Sequence, residues 1–334
     1  MKITVLLGGT SSERDVSMAS GLRIAEALRS RGHDVTAIDT AHGILGRSDE
    51  QALLSGQLMR TVPPDVQALV RLEQSLPQRL TAIPETEVIF LGLHGGRGED
   101  GTIQALLDLT GVPYTGSGHL ASALAMDKEL SKRLFRSVGV PTADWIMAPA
   151  TEREVEDACG FPCIVKPSKQ GSTVGLSLVK DREKLQGAIA EAKLHDDEVI
   201  IERFIPGREL TVTVLGDEAL PVGEIIPVHE LYDYECKYTP GMAREVFPAD
   251  LTPEQTARVQ ALALKAFGVL KLSGCARIDF RLAPDGEFYC LEANTLPGMT
   301  QLSLAPQAAQ AAGISFPDLC ERIVSLALTS RGRA

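Results

Sequence analysis

Polar and apolar residues alternate in two short runs near the end of the chain, residues 277–281 and 288–294, with a Pro-Asp-Gly turn between them. Alternation with a period of two is typical of strands that bury one face, and the turn favours a hairpin. The sequence therefore predicts two adjacent antiparallel strands here. Nearer the N-terminus, apolar runs at residues 3–7, 35–39 and 87–93 predict further strands.

Helical periodicity occurs at residues 16–30, between the first two predicted strands, and at residues 102–109, after the third. A strand, a helix and a strand in succession predict a parallel sheet and an α/β fold. We expect an α+β C-terminal half, because strands and helices continue there with a hairpin. Its predicted strands are 163–167, 175–180, 198–204, 209–215 and 221–226, and its predicted helices are 120–137, 182–193, 253–267 and 317–327. Residues 41–80 are weakly patterned, with helical pieces around Leu53 and at 66–76.

Turn-rich segments at residues 111–118 and 205–207 predict two domain boundaries. A chain of 334 residues also exceeds a single ordinary domain. We therefore expect three domains: residues 1–117, with the parallel sheet, residues 118–204, and residues 205–334.

Composition narrows the class of protein. The apolar fraction of 44% is sufficient for several cores, and a net charge of -11 disfavours nucleic acid or an anionic membrane as the main partner. The six cysteines lack the paired spacing of a zinc site, which suits a reducing compartment. The first apolar run is too short for a signal peptide, and no stretch approaches a membrane span, so we expect a cytoplasmic protein.

The predicted hairpin brings chemically useful side chains to one face. These are Arg277, Asp279, Glu292 and Asn294. Two carboxylates and an amide oxygen are ligands that Mg²⁺ accepts beside phosphates, and a guanidinium neutralises a reacting anion. The alternative is a solvated hairpin with ordinary surface charges. It is disfavoured because the neighbours on the opposite face are expected to lie in a core: Ile278, Phe280, Tyr289 and Leu291.

Two further segments carry features of a nucleotide site. Residues 166–175 begin with Lys166 and continue into a glycine-, serine- and threonine-containing loop that is able to cradle phosphate, although a plain surface hairpin is the alternative. Residues 202–209 lie where two predicted domains meet, and they offer backbone groups to a purine and carboxylates to ribose. A simple linker is the alternative for this segment.

The ends of the N-terminal strands carry a second set of polar groups. Gly8-Gly9-Thr10 lacks the spacing of a dinucleotide loop, which disfavours NAD. Glu13 follows it, and this carboxylate is either a helix cap or a ligand for a substrate ammonium. His94 and Arg97 end another strand among glycines, where a ligand has room to approach.

These segments together resemble the ATP-grasp superfamily, and within it the D-alanine–D-alanine ligase family. The resemblance covers nearly the whole chain, in the family's order. It rests on residues 6–14, 93–101, 114–118, 126–128, 165–167, 232–238, 277–279 and 292–300. The most specific signatures are His-Gly-Gly-Arg-Gly-Glu-Asp-Gly at 94–101 and Glu-Ala-Asn-Thr at 292–295.

The resemblance implies a three-domain ATP-grasp architecture and a two-step reaction. ATP phosphorylates the carboxylate of one D-alanine, and the amine of a second D-alanine attacks the acyl phosphate. It implies a cytoplasmic homodimer that makes a peptidoglycan precursor. Two Mg²⁺ (or Mn²⁺) ions would be held by Asp279, Glu292 and Asn294.

The same resemblance assigns the remaining roles. Lys128, Lys166 and Lys237 would contact phosphates. Arg277 and the Gly298 N–H would stabilise the oxyanion, Glu13 the first ammonium, and Ser303 the second carboxylate. Ser172 and Tyr238 would close a loop over the site. Nucleotide base and ribose would meet Glu202, Phe204, Ile205 and Glu209.

The chain departs from the family pattern in two places. Residues 40–83 are longer than in compact members, and Tyr238 is followed by Thr-Pro-Gly-Met, where the family is more polar. Three alternatives stay open: another carboxylate–amine ligase, a variant ligase that accepts D-lactate or D-serine, and a nucleotide-binding regulator without catalysis.

Overall fold

A computed structural model describes residues 1–55, 83–229, 239 and 241–331 of the chain. Three sheets organise this part of the molecule. The N-terminal sheet has the order β3-β2-β1-β4, with β1 pairing in parallel with β2 and β4. Its elements and the helices around it are β1 Lys2–Leu7, α1 Arg14–Ser30, β2 Asp34–Asp39, β3 Gly43–Ile44, α2 Arg47–Ser55, β4 Val88–Leu91 and α3 Thr102–Asp108.

The predicted parallel sheet is confirmed. Buried apolar residues fill β1, β2 and β4, and α1 covers the sheet with a stripe that includes Leu22, Ile24 and Leu28. Because β1 and β4 are parallel, their carboxyl ends meet at one edge. The loops that carry Glu13 and His94 begin at that edge.

The central sheet is antiparallel, with the order β5-β8-β6-β7. Its elements are β5 Trp145–Met147, α6 Glu152–Ala158, β6 Cys163–Pro167, β7 Ser177–Val179, α7 Leu185–Ala192 and β8 Val199–Arg203. Val165, Val199 and Ile201 face the two helices. The other face carries Lys166 and Glu202 towards the rest of the molecule.

The third sheet has the order β12-β11-β9-β13-β14, and β10 also pairs with β9. Its elements and those that follow are β9 Arg208–Leu215, β10 Glu218–Ala219, β11 Gly223–Pro227, β12 Ala243–Val246, α8 Pro253–Val269, β13 Cys275–Leu282, β14 Phe288–Asn294, α9 Leu304–Ala311 and α10 Phe316–Arg331. One face packs on α8, which begins with a Thr252–Gln255 capping box and a proline in its first turn.

The helix predicted over residues 120–137 is two helices, α4 His119–Met126 and α5 Lys128–Ser137. Asp127 separates them because its backbone is extended and its side chain caps the second helix, accepting the Leu130 N–H at 3.0 Å. Both helices pack on the third sheet through residues such as Ala125 and Phe135.

The hairpin of β13 and β14 is confirmed, but one detail of its predicted pattern is wrong. Asp279 pairs with Glu292 and Phe280 with Cys290, so Leu291 is an extra residue in a β-bulge. Phe288 and Cys290 therefore enter the core beneath α8, whereas Tyr289 and Leu291 are only partly buried on the opposite face, where Tyr289 packs against a small separate cluster.

Other boundaries differ from the prediction by a few residues. The predicted helix 182–193 begins with a 3₁₀ turn and becomes α-helical only over Leu185–Ala192. The last helix starts at Phe316 rather than at Pro317. The predicted helical piece around Leu53 is α2, and the piece at 66–76 lies outside the described residues. None of the described helices is both long enough and apolar enough to cross a membrane.

Candidate active site

A deep cleft opens between the central and third sheets, and we call it the first cavity. It contains about 990 Å³ of empty space, open solvent included, which is enough for a nucleotide-sized ligand. Its walls combine apolar residues with groups of opposite charge. Among them are Lys128, Ile164, Lys166, Ser172, Glu202, Phe204, Ile205, Glu209, Arg277, Asp279, Leu291 and Glu292.

A buried carboxylate between two lysines lies at the base of the first cavity. Glu202 is 3% exposed, and its Oε1 and Oε2 accept hydrogen bonds from Lys166 at 2.5 Å and Lys132 at 2.7 Å. Burial alone would raise the pKa of Glu202, but the two ammonium groups outweigh it and lower the pKa to about 2. Glu202 is therefore ionised. Burial lowers the pKa of Lys132, and the charge of Glu202 opposes that shift; with both lysines protonated the cluster has a net charge of +1.

Arg281 holds residues 204–209, a segment at the edge of the first cavity. Its guanidinium donates to the carbonyl oxygens of Ile205 at 3.1 Å and Gly207 at 2.8 Å, and pairs with Glu209 at 3.2 Å. Phe204 and Ile205 line the cavity at this point. The segment thus presents apolar surface and the Glu209 carboxylate to the cavity.

The hairpin brings its polar groups together around Asp279. This carboxylate accepts hydrogen bonds from Thr211 Oγ1 at 2.7 Å, Asn294 Nδ2 at 3.0 Å and Arg277 Nε at 3.0 Å. Glu292 lies opposite Asp279 in the register, 3.3 Å from the ammonium of Lys128.

The oxygen donors of the hairpin fit a hard divalent cation. Asp279, Glu292 and Asn294 share one face of two paired strands and border the cavity walls. Only two of the three are acidic, and no group of three His, Cys, Asp or Glu residues suited to a metal occurs within the described ranges. The remaining ligands would have to come from phosphate oxygens and water, as Mg²⁺ commonly requires.

A second cavity adjoins the first, on the side of the N-terminal sheet. The two share part of their walls: Lys128, Gln170, Gly171, Ser172, Arg277, Glu292 and Leu304. The second cavity is completed by groups from the N-terminal loops and the segment after β14: Glu13, His94, Glu99, Asn294, Gly298 and Ser303. A ligand in each cavity would therefore meet the other across Lys128, Arg277 and Glu292.

The loop after β6 contacts the N-terminal region through Ser172. Its hydroxyl donates to Glu13 Oε1 although the residues are far apart in sequence. Ser172 and Thr173 both adopt a left-handed backbone, with φ of 50° and 59°. Such a conformation is unfavourable for residues with a Cβ and is retained mainly at functional loops.

His94 ties two walls of the second cavity together. Its Nδ1 donates to the Leu296 carbonyl at 2.9 Å and its Nε2 accepts from Ser20 Oγ at 2.9 Å, while Ser20 Oγ accepts the Met299 N–H at 3.1 Å. Burial lowers the pKa of His94, so the ring is neutral in this arrangement. The segment that carries Gly298 is thereby held against α1.

Glu99 also joins two walls of the second cavity, through its carboxylate. Its oxygens accept the backbone N–H groups of Gly95 at 3.1 Å and Leu296 at 3.2 Å. Burial, followed by the nearby charge of Glu13, raises the pKa of Glu99 to about 7. The carboxyl group therefore titrates near neutrality, unlike that of Glu202.

Gly298 and Ser303 lie side by side. A Cβ on Gly298 would stand 2.6 Å from Ser303 Oγ, so the close approach requires glycine. Ser303 Oγ accepts the Thr300 N–H at 3.0 Å and lies 2.8 Å from Thr300 Oγ1. The turn therefore places Gly298 and the Ser303 side chain next to each other at the cavity wall.

Most of the residues singled out from the sequence line one cavity or both. Lys237 and Tyr238 lie outside the described residues. Arg97 borders a smaller neighbouring pocket instead of either cavity. Sequence reasoning missed Lys132, Thr211 and Glu99, which hold or clamp the predicted groups. Glu99 lies inside a recognised signature, whereas Lys132 and Thr211 gave no signal of their own.

Comparison with known proteins identifies the family. The family model described as D-ala D-ala ligase N-terminus matches residues 2–117, and the one described as D-ala D-ala ligase C-terminus matches residues 134–325. A D-alanine–D-alanine ligase of Anaeromyxobacter sp. (strain Fw109-5) is 42% identical over 327 residues, covering 97% of this chain and 96% of the relative. One from Geobacter sulfurreducens is 43% identical, covering 97% and 93%.

Solved structures agree with this result. D-alanine–D-alanine ligase of Bacillus anthracis, complexed with ATP, superposes with a TM-score of 0.79 at 32% identity, covering 100% of this chain and 98% of that one. The ligase from Coxiella burnetii gives a TM-score of 0.82 at 27% identity, covering 100% and 95%. The predicted ATP-grasp fold is thus confirmed, and the chain belongs to the D-alanine–D-alanine ligase family.

Proposed function

We propose that this protein uses ATP to join two D-alanine molecules into D-alanyl-D-alanine, releasing ADP and phosphate, for the synthesis of cell-wall precursors. The observation that carries the proposal is the junction of the two cavities at Lys128, Arg277 and Glu292. A phosphate donor on one side and an amino acid on the other would meet at a place with both cations and carboxylates.

The first cavity is the proposed site of ATP. Glu202 and the 204–205 segment would bind adenine, Glu209 the ribose, and Lys128 and Lys166 the phosphates. The net positive charge of the Lys132–Glu202–Lys166 cluster supports this direction, because it faces a cavity that would receive a polyanion. Lys237 belongs to the same proposal through the family resemblance alone.

Two Mg²⁺ or Mn²⁺ ions are proposed at Asp279, Glu292 and Asn294, where they would neutralise the transferring phosphoryl group. Thr211 would keep Asp279 oriented through its 2.7 Å hydrogen bond. Arg277 is beside Asp279 and at the wall of both cavities, so its guanidinium would stabilise negative charge on the reacting carboxylate.

The second cavity is the proposed site of both D-alanines. Glu13 would hold the first ammonium, and Ser303 the carboxylate of the second molecule. The first carboxylate attacks the terminal phosphorus of ATP, breaking its bond to ADP. The neutral amine of the second D-alanine then attacks the acyl carbon and loses a proton, with the Gly298 N–H stabilising the oxyanion and phosphate leaving.

Ser172 and Tyr238 are proposed to close the loop after β6 over this reaction. The contact of Ser172 with Glu13 supports this role, since it joins the loop to the first D-alanine subsite. Exclusion of water would protect the acyl phosphate from hydrolysis.

The proposal also covers the location of the protein, its assembly and its partners. A cytoplasmic location is supported by the five buried, unpaired cysteines of the described part of the chain. A homodimer is proposed from the family resemblance, and the domain division 1–117, 118–204 and 205–334 is proposed from the turn-rich segments of the sequence. We infer no nucleic-acid partner, which the net charge of -11 supports.

Phosphate release from ATP is the test of the reaction. The purified protein would be given D-alanine, D-lactate and D-serine, singly and in pairs, with the products separated by chromatography. We expect D-alanine alone to release phosphate and form dipeptide in equal amounts. Preferred formation of a mixed ester or mixed dipeptide would indicate a variant ligase, and nucleotide binding without phosphate release would contradict the proposal.

A further inference from the structure

Lys132 lies behind the first cavity rather than in its wall. The residue is 1% exposed, and its ammonium donates to Glu202 Oε2 at 2.7 Å and to Thr142 Oγ1 at 2.8 Å. The Trp145 ring lies 5.2 Å from the same ammonium. Lys132 thus has no direct path to a ligand, and whatever it does for the cavity passes through Glu202.

Thr142 fixes the position of this lysine. Its hydroxyl accepts from Lys132 and donates to the Cys290 carbonyl of β14 at 2.8 Å. Lys132 itself comes from α5, which packs on the third sheet, whereas Glu202 belongs to the central sheet. The cation therefore bridges the two sheets that enclose the first cavity.

The two lysines around Glu202 are not equivalent. Lys166 lines the cavity, so a bound phosphate is able to draw its ammonium away from the carboxylate. Lys132 has no such competitor. It remains as the counter-ion that keeps Glu202 ionised and in place when Lys166 engages a ligand. An ionised carboxylate only accepts hydrogen bonds.

We propose that Lys132 is a positioning residue that sets the base selectivity of the first cavity, favouring a purine with a 6-amino group over one with a 6-oxo group. The inference rests on the proposed function, which places the base of ATP at Glu202. A 6-amino group donates to the carboxylate. A 6-oxo group would face the carboxylate as a second acceptor in a buried place, and no hydrogen bond would form between the two.

Binding of ADP and IDP, measured by calorimetry on the intact protein, tests this role. We expect the wild type to prefer ADP by about tenfold or more, as one lost hydrogen bond in a buried site implies. Lys132→Met should weaken ADP binding by about tenfold and bring the ratio of the affinities for ADP and IDP close to one. Arg133→Met is the matched control, because Arg133 is the next residue of α5, 68% exposed and paired only at the surface with Glu129.

Thr142→Val provides a milder variant that retains the lysine and both sheets. It removes the hydroxyl that orients Lys132, so the ADP-to-IDP ratio should fall to a value between those of the wild type and Lys132→Met. In turnover assays, the KM for ATP should rise in both variants while kcat at saturating ATP changes less. Circular dichroism and thermal unfolding would establish that each variant is folded.

The outcomes separate the inference from the proposed function. A wild type that binds neither nucleotide would overturn the proposed function. A wild type that prefers ADP, with a ratio unchanged in Lys132→Met, would overturn only the role of Lys132. Equal weakening of ADP and IDP would show a purely structural residue, and would also overturn it. If Lys132→Met does not fold, an unchanged ratio in Thr142→Val has the same consequence.

Discussion

The two cavities each contain a carboxylate withdrawn from solvent, and their surroundings move the two pKa values in opposite directions. In the first cavity, Lys132 and Lys166 bring the pKa of Glu202 down to about 2 in spite of burial. In the second, burial and the charge of Glu13 bring the pKa of Glu99 up to about 7, and its hydrogen-bond donors are two backbone N–H groups.

The difference follows the charge of the proposed ligands. A surplus of positive charge around Glu202 suits the phosphates of a nucleotide, whereas a surplus of negative charge around Glu13 and Glu99 suits the ammonium of an amino acid. The wall between them carries both signs, in Lys128, Arg277 and Glu292. The two carboxylates therefore titrate differently because their neighbours carry opposite charges.

The largest expected effect comes from removing the charge of Glu202. Glu202→Gln leaves two buried lysines without an anion, and should lower the free energy of unfolding by about 3–5 kcal/mol. Urea unfolding at neutral pH measures this. Glu198→Gln is the control, because Glu198 precedes the same strand and forms a half-exposed pair with Lys169, worth less than about 1 kcal/mol. Equal effects of the two substitutions would contradict the comparison.

Glu292 tests the wall that the cavities share. Glu292→Gln retains the shape but removes a charge proposed to bridge two metal ions, so turnover should fall by about a hundredfold or more. Steady-state phosphate release across a Mg²⁺ series measures the loss. The control is Glu287→Gln. Glu287 lies in the turn of the same hairpin and forms a surface pair with Arg258 of α8, so this variant should behave as wild type. Near-normal turnover of Glu292→Gln at saturating Mg²⁺ would remove Glu292 from the site.

Ser172 tests the contact between the loop after β6 and Glu13 of the second cavity. Ser172→Ala removes the hydroxyl that donates to Glu13, and should weaken binding of the first D-alanine by about fivefold, since such a bond contributes about 1 kcal/mol. ADP affinity should change much less. Calorimetric titration of each ligand measures the two effects, with Ser325→Ala, an exposed helical serine, as control. Equal weakening of both ligands would show that the loop serves both cavities alike.

Glu99 gives an effect of a different kind, a change in the pH dependence of stability. Its folded pKa of about 7 exceeds the ordinary value of 4.5, so the folded protein holds an extra proton between these limits. The stability that Glu99 contributes is complete below the lower value and is lost as the pH rises through the higher one. In Glu99→Gln, the free energy of unfolding should therefore fall less steeply between about pH 5 and pH 8 than in the wild type. Parallel curves for the two proteins would contradict the raised pKa.

Much of this architecture was predictable from the sequence, because periodicity reports burial directly. The parallel N-terminal strands and the final hairpin followed from apolar runs and alternation. The bulge at Leu291 was not predicted, because one extra residue in a strand leaves the local alternation of polar and apolar residues unchanged while it reverses which neighbouring side chains are buried. The break at Asp127 was also missed, because a single capping aspartate inside a helix-rich segment resembles an ordinary surface residue.

In the site, too, some residues could be predicted from local sequence patterns and others could not. Glu13, Lys166, Asp279 and Glu292 were singled out because they follow strands or alternate along them. Lys132 was missed because a lysine on a helix is normally solvated. Only the tertiary structure, in which α5 packs on the third sheet and Lys132 reaches Glu202 of the central sheet, shows that it is buried. Supporting residues of this kind depend on tertiary contacts that no local pattern records.

The opposite titration of Glu202 and Glu99 is the most direct test of the account. Carbon-13 NMR of protein labelled at the glutamate carboxyls would follow both groups, with signals assigned from Glu202→Asp and Glu99→Gln. We expect Glu202 to stay ionised down to about pH 4, while Glu99 takes up its proton near pH 7. Titration of both groups near the ordinary value of 4.5 would contradict it.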